Sequence, residues 1–387
     1  MKSRRERFAF YGFAVSMGLW GMGWSTKLFG LTIGASAVCF FLLLLAAGRM
    51  RQLRWGLAPI GSAIVIVSAL QLIVRPNTET LVYMLSFIAA LTGYWIVINR
   101  ITDIADLGKL ITVALFTAAA AVTVLIVLDL WVWRLPYLTP NLDKVQGSKN
   151  CLGLFLSMFF PFALSRFAFQ KNVRNAFLVA VLGFAQLYVV SRGALICLIL
   201  SFFLFPILFW RVRAYSKISV TALVFFLFLN LAFGVGIRTF MQLKLKADAL
   251  SPSPTSRYNF DTAFISAREQ RVTLLINGFN DWKAHPFLGI GVGNFAKRHG
   301  TEAHNDYIRM MSELGLPGLV SLIAILAVSA RTVFSKVRRV SHWVAHGAAV
   351  SFLCLTFSLG VATFFSSIPV WFILGCITIL GGVRRHV

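Results

Sequence analysis

The sequence predicts an all-α polytopic membrane protein of about twelve transmembrane helices, with one large segment outside the membrane that itself contains helices. Three observations predict this. Of 387 residues, 58% are hydrophobic and only 13% charged, which leaves too little polar surface for a soluble chain of that size. Apolar runs of roughly 17–25 residues recur from end to end, each long enough to cross a bilayer core of about 30 Å as a helix. Basic residues fall in alternate loops.

The twelve runs cover residues 8–24, 28–48, 55–74, 79–98, 109–130, 150–169, 175–190, 193–210, 216–236, 305–330, 342–361 and 363–381. They divide the chain into nine spans within 1–236, an outer segment at 237–304 and three further spans within 305–387. The basic start, MKSRRERFAF, has the charge of a signal-peptide n-region. No small-residue cleavage site follows it and a second run comes at once, so it reads as a retained first helix.

With the N-terminus inside, the inner segments carry 21 basic residues. The short outer loops carry 6, namely Lys27, Arg75, Arg134, Lys144, Lys149 and Arg192. This is the positive-inside pattern, which puts both termini in the cytoplasm. The net charge of +24 then records topology and contact with anionic membrane lipid, and no nucleic-acid partner is expected. The five cysteines lie in or at the edge of apolar runs without metal-ligand spacing, so neither a metal site nor a structural disulfide is expected.

The outer segment, Ile237 to His304, is 68 residues long, far more than a connection needs. Its SPSPTSRYNF stretch (251–260) is turn-rich, and DTAFISAREQRVTLLINGFNDWKAHP (261–286) reads as a helix with Asp261 at its start and Pro286 ending it. Apolar residues recur along that helix at Phe264, Val272, Leu275, Phe279 and Trp282, with Arg268 filling the gap and Arg271 beside the same stripe. The helical neighbours of Arg271 at i±3 and i±4 are Ala267, Arg268, Leu274 and Leu275, none of them a carboxylate. The two arginines either snorkel from an interfacial helix or form an anion site, because a guanidinium fork donates two parallel hydrogen bonds to phosphate.

HPFLGIGVGNF (285–295) follows. Gly289, Gly291 and Gly293 imitate a dinucleotide fingerprint, but no strand precedes them and they fall on the outer side. Glycines at alternate positions instead allow a tight loop and close approach to a neighbouring backbone. The chain then re-enters the membrane at EAHNDYIRMMSELGLPG, where Asn305, Arg309 and Ser312 share one helical face that must lie against protein or a water-filled cavity. Asn305 or Asp306 can cap that helix, leaving free backbone N–H groups beside His304 in an arrangement that suits a phosphate oxygen. Arg192, in VVSRGALI (189–196), sits at the tip of a short hairpin on the same side.

Three segments taken in order, SRGALI (191–196), RVTLLINGFNDWKAHPFLGIGVGNF (271–295) and HNDYIRMMSELGLPGLV (304–320), resemble the bacterial O-antigen ligase and polymerase superfamily of envelope glycan transferases. The resemblance implies an enzyme of the bacterial inner membrane with a periplasmic active site. Its donor would be a glycan on undecaprenyl pyrophosphate, held by Arg192 and Arg271, with His304 essential and with neither metal nor cofactor needed. O-antigen ligation would pass the glycan to the lipid A core oligosaccharide in lipopolysaccharide biosynthesis.

The chemistry agrees with those residue types. Pyrophosphate leaves the anomeric carbon, and fixed arginines in a low-dielectric site stabilise the charge that develops on it. The attacking hydroxyl must lose a proton, and an imidazole serves as general base or hydrogen-bonds the phosphate. Displacement in one step from the opposite face inverts the anomeric centre. Arg268, Asn305 and Arg309 are candidates for substrate binding, as are Lys297, Arg298 and His299, which form a basic surface for phosphorylated acceptor sugars. His285, just before Pro286, reads as positional. Trp131, Trp133 and Tyr137 form an interfacial aromatic belt or a sugar-stacking platform, and Arg134, Lys144 and Lys149 are further candidates for acceptor phosphates.

Two rivals share the donor and differ in acceptor: a polymerase that extends another lipid-linked unit, and a transferase that modifies a protein hydroxyl. A non-enzymatic rival, a transporter or flippase for the same lipids, predicts ionisable residues throughout the spans and inverted repeats. The sequence has neither, and its ionisable residues gather at helix ends.

Overall fold

A computed structural model describes residues 4–20, 25–28, 31–34, 54–131, 149–188, 192–218, 220–221, 260–361 and 365–382. Among these the fold is a helical bundle. It starts with α1 (Arg4–Trp20) and a short antiparallel pair, β1 (Ser25–Leu28) and β2 (Leu31–Gly34). The helices α2 (Ala58–Val74), α3 (Thr78–Arg100), α4 (Ile104–Trp131), α5 (Lys149–Phe169), α6 (Val173–Tyr188) and α7 (Arg192–Leu208) follow. The later elements are α8 (Phe260–Ala284), α9 (Asn294–His299), α10 (Asp306–Ser335), α11 (Trp343–Leu359) and α12 (Ile368–Gly382).

Ten of the twelve apolar runs coincide with a helix of this set. By length and composition, α3, α10 and large parts of α4 and α5 are able to cross a membrane, and five more helices are apolar but shorter. The run at 28–48 needs correction where it is described. Its first residues pair as a hairpin with Thr26 opposite Ile33 and Lys27 opposite Thr32, a segment rich in β-branched side chains that favour an extended backbone. Residues 35–48 of that run and most of the run at 216–236 lie outside the described residues.

At one end of the bundle the turn before α2 meets α3 and α12. There the Arg54 N–H donates to Asn99 Oδ1 at 2.6 Å, the Leu57 N–H donates to the Tyr94 hydroxyl at 2.7 Å, and that hydroxyl meets Thr378 Oγ1 at 3.1 Å. These bonds pin α2, α3 and α12 together. Above them the buried Trp371 packs edge-on against Phe87 and Tyr94, with centroids 5.3 and 5.5 Å away. Across the bundle, α11 lies tight on α5, because Gly347 leaves Phe162 no room for even a Cβ atom beside it.

The opposite end is organised by a break in α10. Pro317 has no N–H, so the Glu313 carbonyl loses its helical partner, and Gly315 leaves helical geometry at φ 68°, ψ −161°. The Leu316 N–H turns to Pro286 O at 2.8 Å, which frees the Ser312 carbonyl as well. The glycine loop supplies what is missing: Ile290 N–H donates to Ser312 O at 2.8 Å and Gly291 N–H to Glu313 O at 3.1 Å. Gly289, Gly291 and Gly293 all have positive φ, and a Cβ at Gly289 would stand 2.4 Å from the Glu313 backbone. The alternate glycines therefore do let the loop approach a neighbouring backbone.

Gln71 of α2 closes this junction with both ends of its amide. Its Nε2 donates to Leu288 O and, at 2.6 Å, to Glu313 O, and its Oε1 accepts from Val292 N–H at 3.3 Å. Thr80 and Asn77 add donors to Val292 O at 3.2 and 3.3 Å. Substituting Gln71→Leu keeps the apolar stem and strands two backbone groups at a cost of about 1–3 kcal/mol each. The apparent melting temperature of the detergent-solubilised chain is expected to fall by several degrees, whereas Ser62→Leu, remote from the junction, leaves it within about one degree.

Candidate active site

The site is built where α8, the start of α10 and the start of α7 come together. Along α8 the buried positions are Leu274, Gly278 and Asp281, spaced to form one helical face. A Cβ at Gly278 would come within 2.3 Å of the Ile308 side chain, so α8 crosses the first turn of α10 at close range. Leu274, Ile290, Phe295 and Ala303 form a small apolar cluster with Ile308 packed against it. Val272, Leu275 and Phe279 of the sequence stripe point away from the protein.

That cluster carries Arg271 and His304. Arg271 lies one turn before Leu274 and is exposed, with no ion-pair partner among the described residues. His304 directly follows Ala303, is exposed, and has φ 49°, the one positive φ at a non-glycine residue among those described. A histidine in left-handed backbone costs conformational energy, and such strain is concentrated at functional positions.

Asn305 holds the turn. It caps α10, with Oδ1 accepting from Ile308 N–H at 3.1 Å, while Nδ2 donates to Gly360 O at 3.0 Å at the end of α11. The same end of α11 receives α7, since a Cβ at Gly193 would lie 3.1 Å from Val361. The chain of contacts Gly193, Val361, Gly360, Asn305 thus brings the start of α7, which is Arg192, to the His304 turn. The side chains of Arg192 and Arg268 lie outside the described residues, as do those of Trp131, Trp133, Arg134, Tyr137, Lys144 and Lys149.

Several cations expected to meet substrate have internal partners. Arg309 Nε bonds Glu313 Oε2 at 3.0 Å, and its guanidinium sits 4.7 Å from the centre of the Tyr83 ring. Glu313 is buried, and its other oxygen accepts from Gly293 N–H at 2.9 Å and Phe295 N–H at 3.3 Å. The polar face of α10 therefore lies against protein. His299 Nε2 meets Asp281 Oδ2 at 2.8 Å and its Nδ1 faces Asn277 Nδ2 at 3.2 Å, so both ring nitrogens are occupied. Arg298 bonds the other Asp281 oxygen at 3.2 Å, and Lys297 reaches Glu79 and Asn77 at 3.5 and 3.2 Å. Asn305 has both amide ends engaged, as above. These residues shape the site by fixing α9, the glycine loop and the His304 turn.

Four residues were missed by sequence reasoning. Glu313 stands four residues after Arg309, the spacing of a helical ion pair, and this signal was available. Asp281 joins Arg298 and His299 only through the fold. Gln71 and Gln186 are lone amides inside apolar helices, a pattern that calls for a partner. Gln71 has found its partners, whereas Gln186, fully buried near the end of α6 that leads to Arg192, has none at either amide atom among the described residues.

Removing one member of the buried pair, Arg309→Ala, leaves Glu313 uncompensated at a cost of about 3–5 kcal/mol. The double variant Arg309→Met with Glu313→Gln is expected to melt at a higher temperature than Arg309→Ala, measured by thermal unfolding in detergent.

Comparison with known proteins bears on the same residues. No curated protein matches the chain. The family model described as O-antigen ligase matches residues 176–323, from α6 into α10, a stretch that contains Arg192, Arg271, the glycine loop and the His304 turn. On that match, residues 176–323 are similar to the O-antigen ligase family.

Proposed function

We propose that this protein is an O-antigen ligase of the bacterial inner membrane, transferring a glycan from undecaprenyl pyrophosphate to the lipid A core oligosaccharide on the periplasmic face. The observation that carries the proposal is the convergence of Arg271, without an ion-pair partner among the described residues, a strained and exposed His304 and the start of α7 on one end of the bundle. Neighbouring cations are neutralised by Asp281, Glu313 and Glu79, so Arg271 is left available for an external anion.

In the proposed step the acceptor hydroxyl oxygen bonds to the anomeric carbon as the bond from that carbon to the pyrophosphate oxygen breaks. The leaving pyrophosphate takes the electron pair, and Arg271 with Arg192 stabilises the charge. His304 takes the hydroxyl proton as general base. Attack opposite the leaving group inverts the anomeric centre. Asn305 is a positioning residue, because its cap and its bond to Gly360 hold His304 against α11. Gln186 is buried beside this end without a hydrogen-bond partner among the described residues, and we assign its amide to the bound donor.

Complementation of a ligase-deficient and a polymerase-deficient Gram-negative strain, with lipopolysaccharide ladders as readout, tests the reading. Restoration in the ligase-deficient strain alone supports it; restoration in the polymerase-deficient strain alone moves the acceptor to a second lipid-linked glycan. Arg271→Ala and His304→Ala are expected to lower transfer by about 100-fold or more, while Lys297→Ala stays near wild type. Gln186→Leu is expected to raise the melting temperature, by relieving an unpaired buried amide worth about 1–3 kcal/mol, and to lower transfer at the same time.

A further inference from the structure

A cleft of about 310 Å³ opens between the end of α2 and the glycine loop, away from the His304 turn. Along α8, Ala284 at its edge stands about 20 Å from Arg271, at 1.5 Å per residue. Its walls have two characters. Val74, Phe287 and Leu288 are apolar and exposed, Phe287 to 73%, on a protein whose apolar exterior faces lipid. Arg75 and His285 are the titratable groups of the lining.

Neither of those two has an internal role that accounts for its side chain. Arg75 is exposed at the C-terminus of α2 and has no carboxylate partner among the described residues. Among the described residues His285 contributes only backbone bonds, to Asp281 O, Trp282 O and Gly289 N. The apolar wall is continuous with the lipid-facing side of α10, because Pro286 O accepts from the N–H of Leu316, which begins an exposed stripe with Val320 and Ile323. A cleft that opens toward lipid through apolar walls, with a guanidinium and an imidazole at its rim, matches an amphiphile with an anionic head.

We infer that this cleft binds a phosphate-bearing lipid, its phosphate held by Arg75 and His285 and its first chain carbons lying against Val74, Phe287 and Leu288. The site is separate from the one proposed for the transferred glycan, and the inference does not depend on that activity. An apolar wall distinguishes it from a free-anion site, since inorganic phosphate gains nothing from Phe287 or Leu288.

Native mass spectrometry of the full chain in detergent tests it without turnover. The probes are dioleoylphosphatidylglycerol, dioleoylglycerol as the same chains without phosphate, and inorganic phosphate. Retention of the phospholipid is expected, with dioleoylglycerol at least about tenfold weaker and inorganic phosphate unable to compete. Arg75→Ala with His285→Gln should lower retention at least about tenfold, Arg75→Lys should lower it less, and Arg271→Ala should leave it unchanged. Phe287→Asp, at a side chain too exposed to matter for folding, should abolish retention through the apolar wall. Equal retention in the Arg75 and His285 variants, equal binding of dioleoylglycerol, or displacement by inorganic phosphate would each overturn the inference.

Discussion

The absence of an N–H at Pro317, with Gly315 out of helical geometry beside it, leaves the carbonyls of Ser312 and Glu313 without helical partners inside a membrane-length helix. Lipid cannot satisfy such groups, so irregular backbone at that depth is tolerated only where protein covers it. The glycine loop is that cover. Its N–H groups meet the two carbonyls, Gln71 bridges loop and helix from α2, and three glycines with positive φ allow the approach. The break in α10 and the glycine-rich stretch before it are thus two halves of one hydrogen-bonded junction.

Charge at this end follows the same logic. Glu313 sits within the junction, and a buried carboxylate is tolerable only when paired and hydrogen-bonded. Arg309 and the N–H groups of Gly293 and Phe295 provide this. Asp281 does the equivalent on α8 by holding Arg298 and His299. The consequence for function is a division of labour among basic residues that look alike in sequence. Those with internal carboxylates lock α8, α9 and α10 into one platform, and Arg271 and His304 remain presented on it. A rigid platform is what transition-state stabilisation requires, because its donors must already point at the charge that will develop.

Much of this was legible from residue order. The helix at 261–286 was readable from its periodicity and from Pro286, and α8 runs from Phe260 to Ala284. Asn305 was one of two candidate caps, and it caps. The alternate glycines pointed to close backbone approach. The start of the second apolar run was misread, because composition alone does not distinguish a lipid-spanning helix from a hairpin of Thr, Ile and Leu. Arg309, Arg298 and His299 also hold internal carboxylates, and of these partners only Glu313 lies within a helical turn and was open to sequence reading.

Local physics acts through neighbours in the chain, so the sequence by itself determined the apolar character of the helices, several helix ends and the positions where only glycine fits. The fates of the polar side chains depended on contacts between distant segments. Asp281 reaches Arg298 and His299 across a turn, Gln71 reaches Glu313 across 242 residues, and Asn305 reaches Gly360 across 55. Which charge is neutralised and which is left to meet a ligand is decided by the approach of whole helices, and tertiary structure alone supplies that.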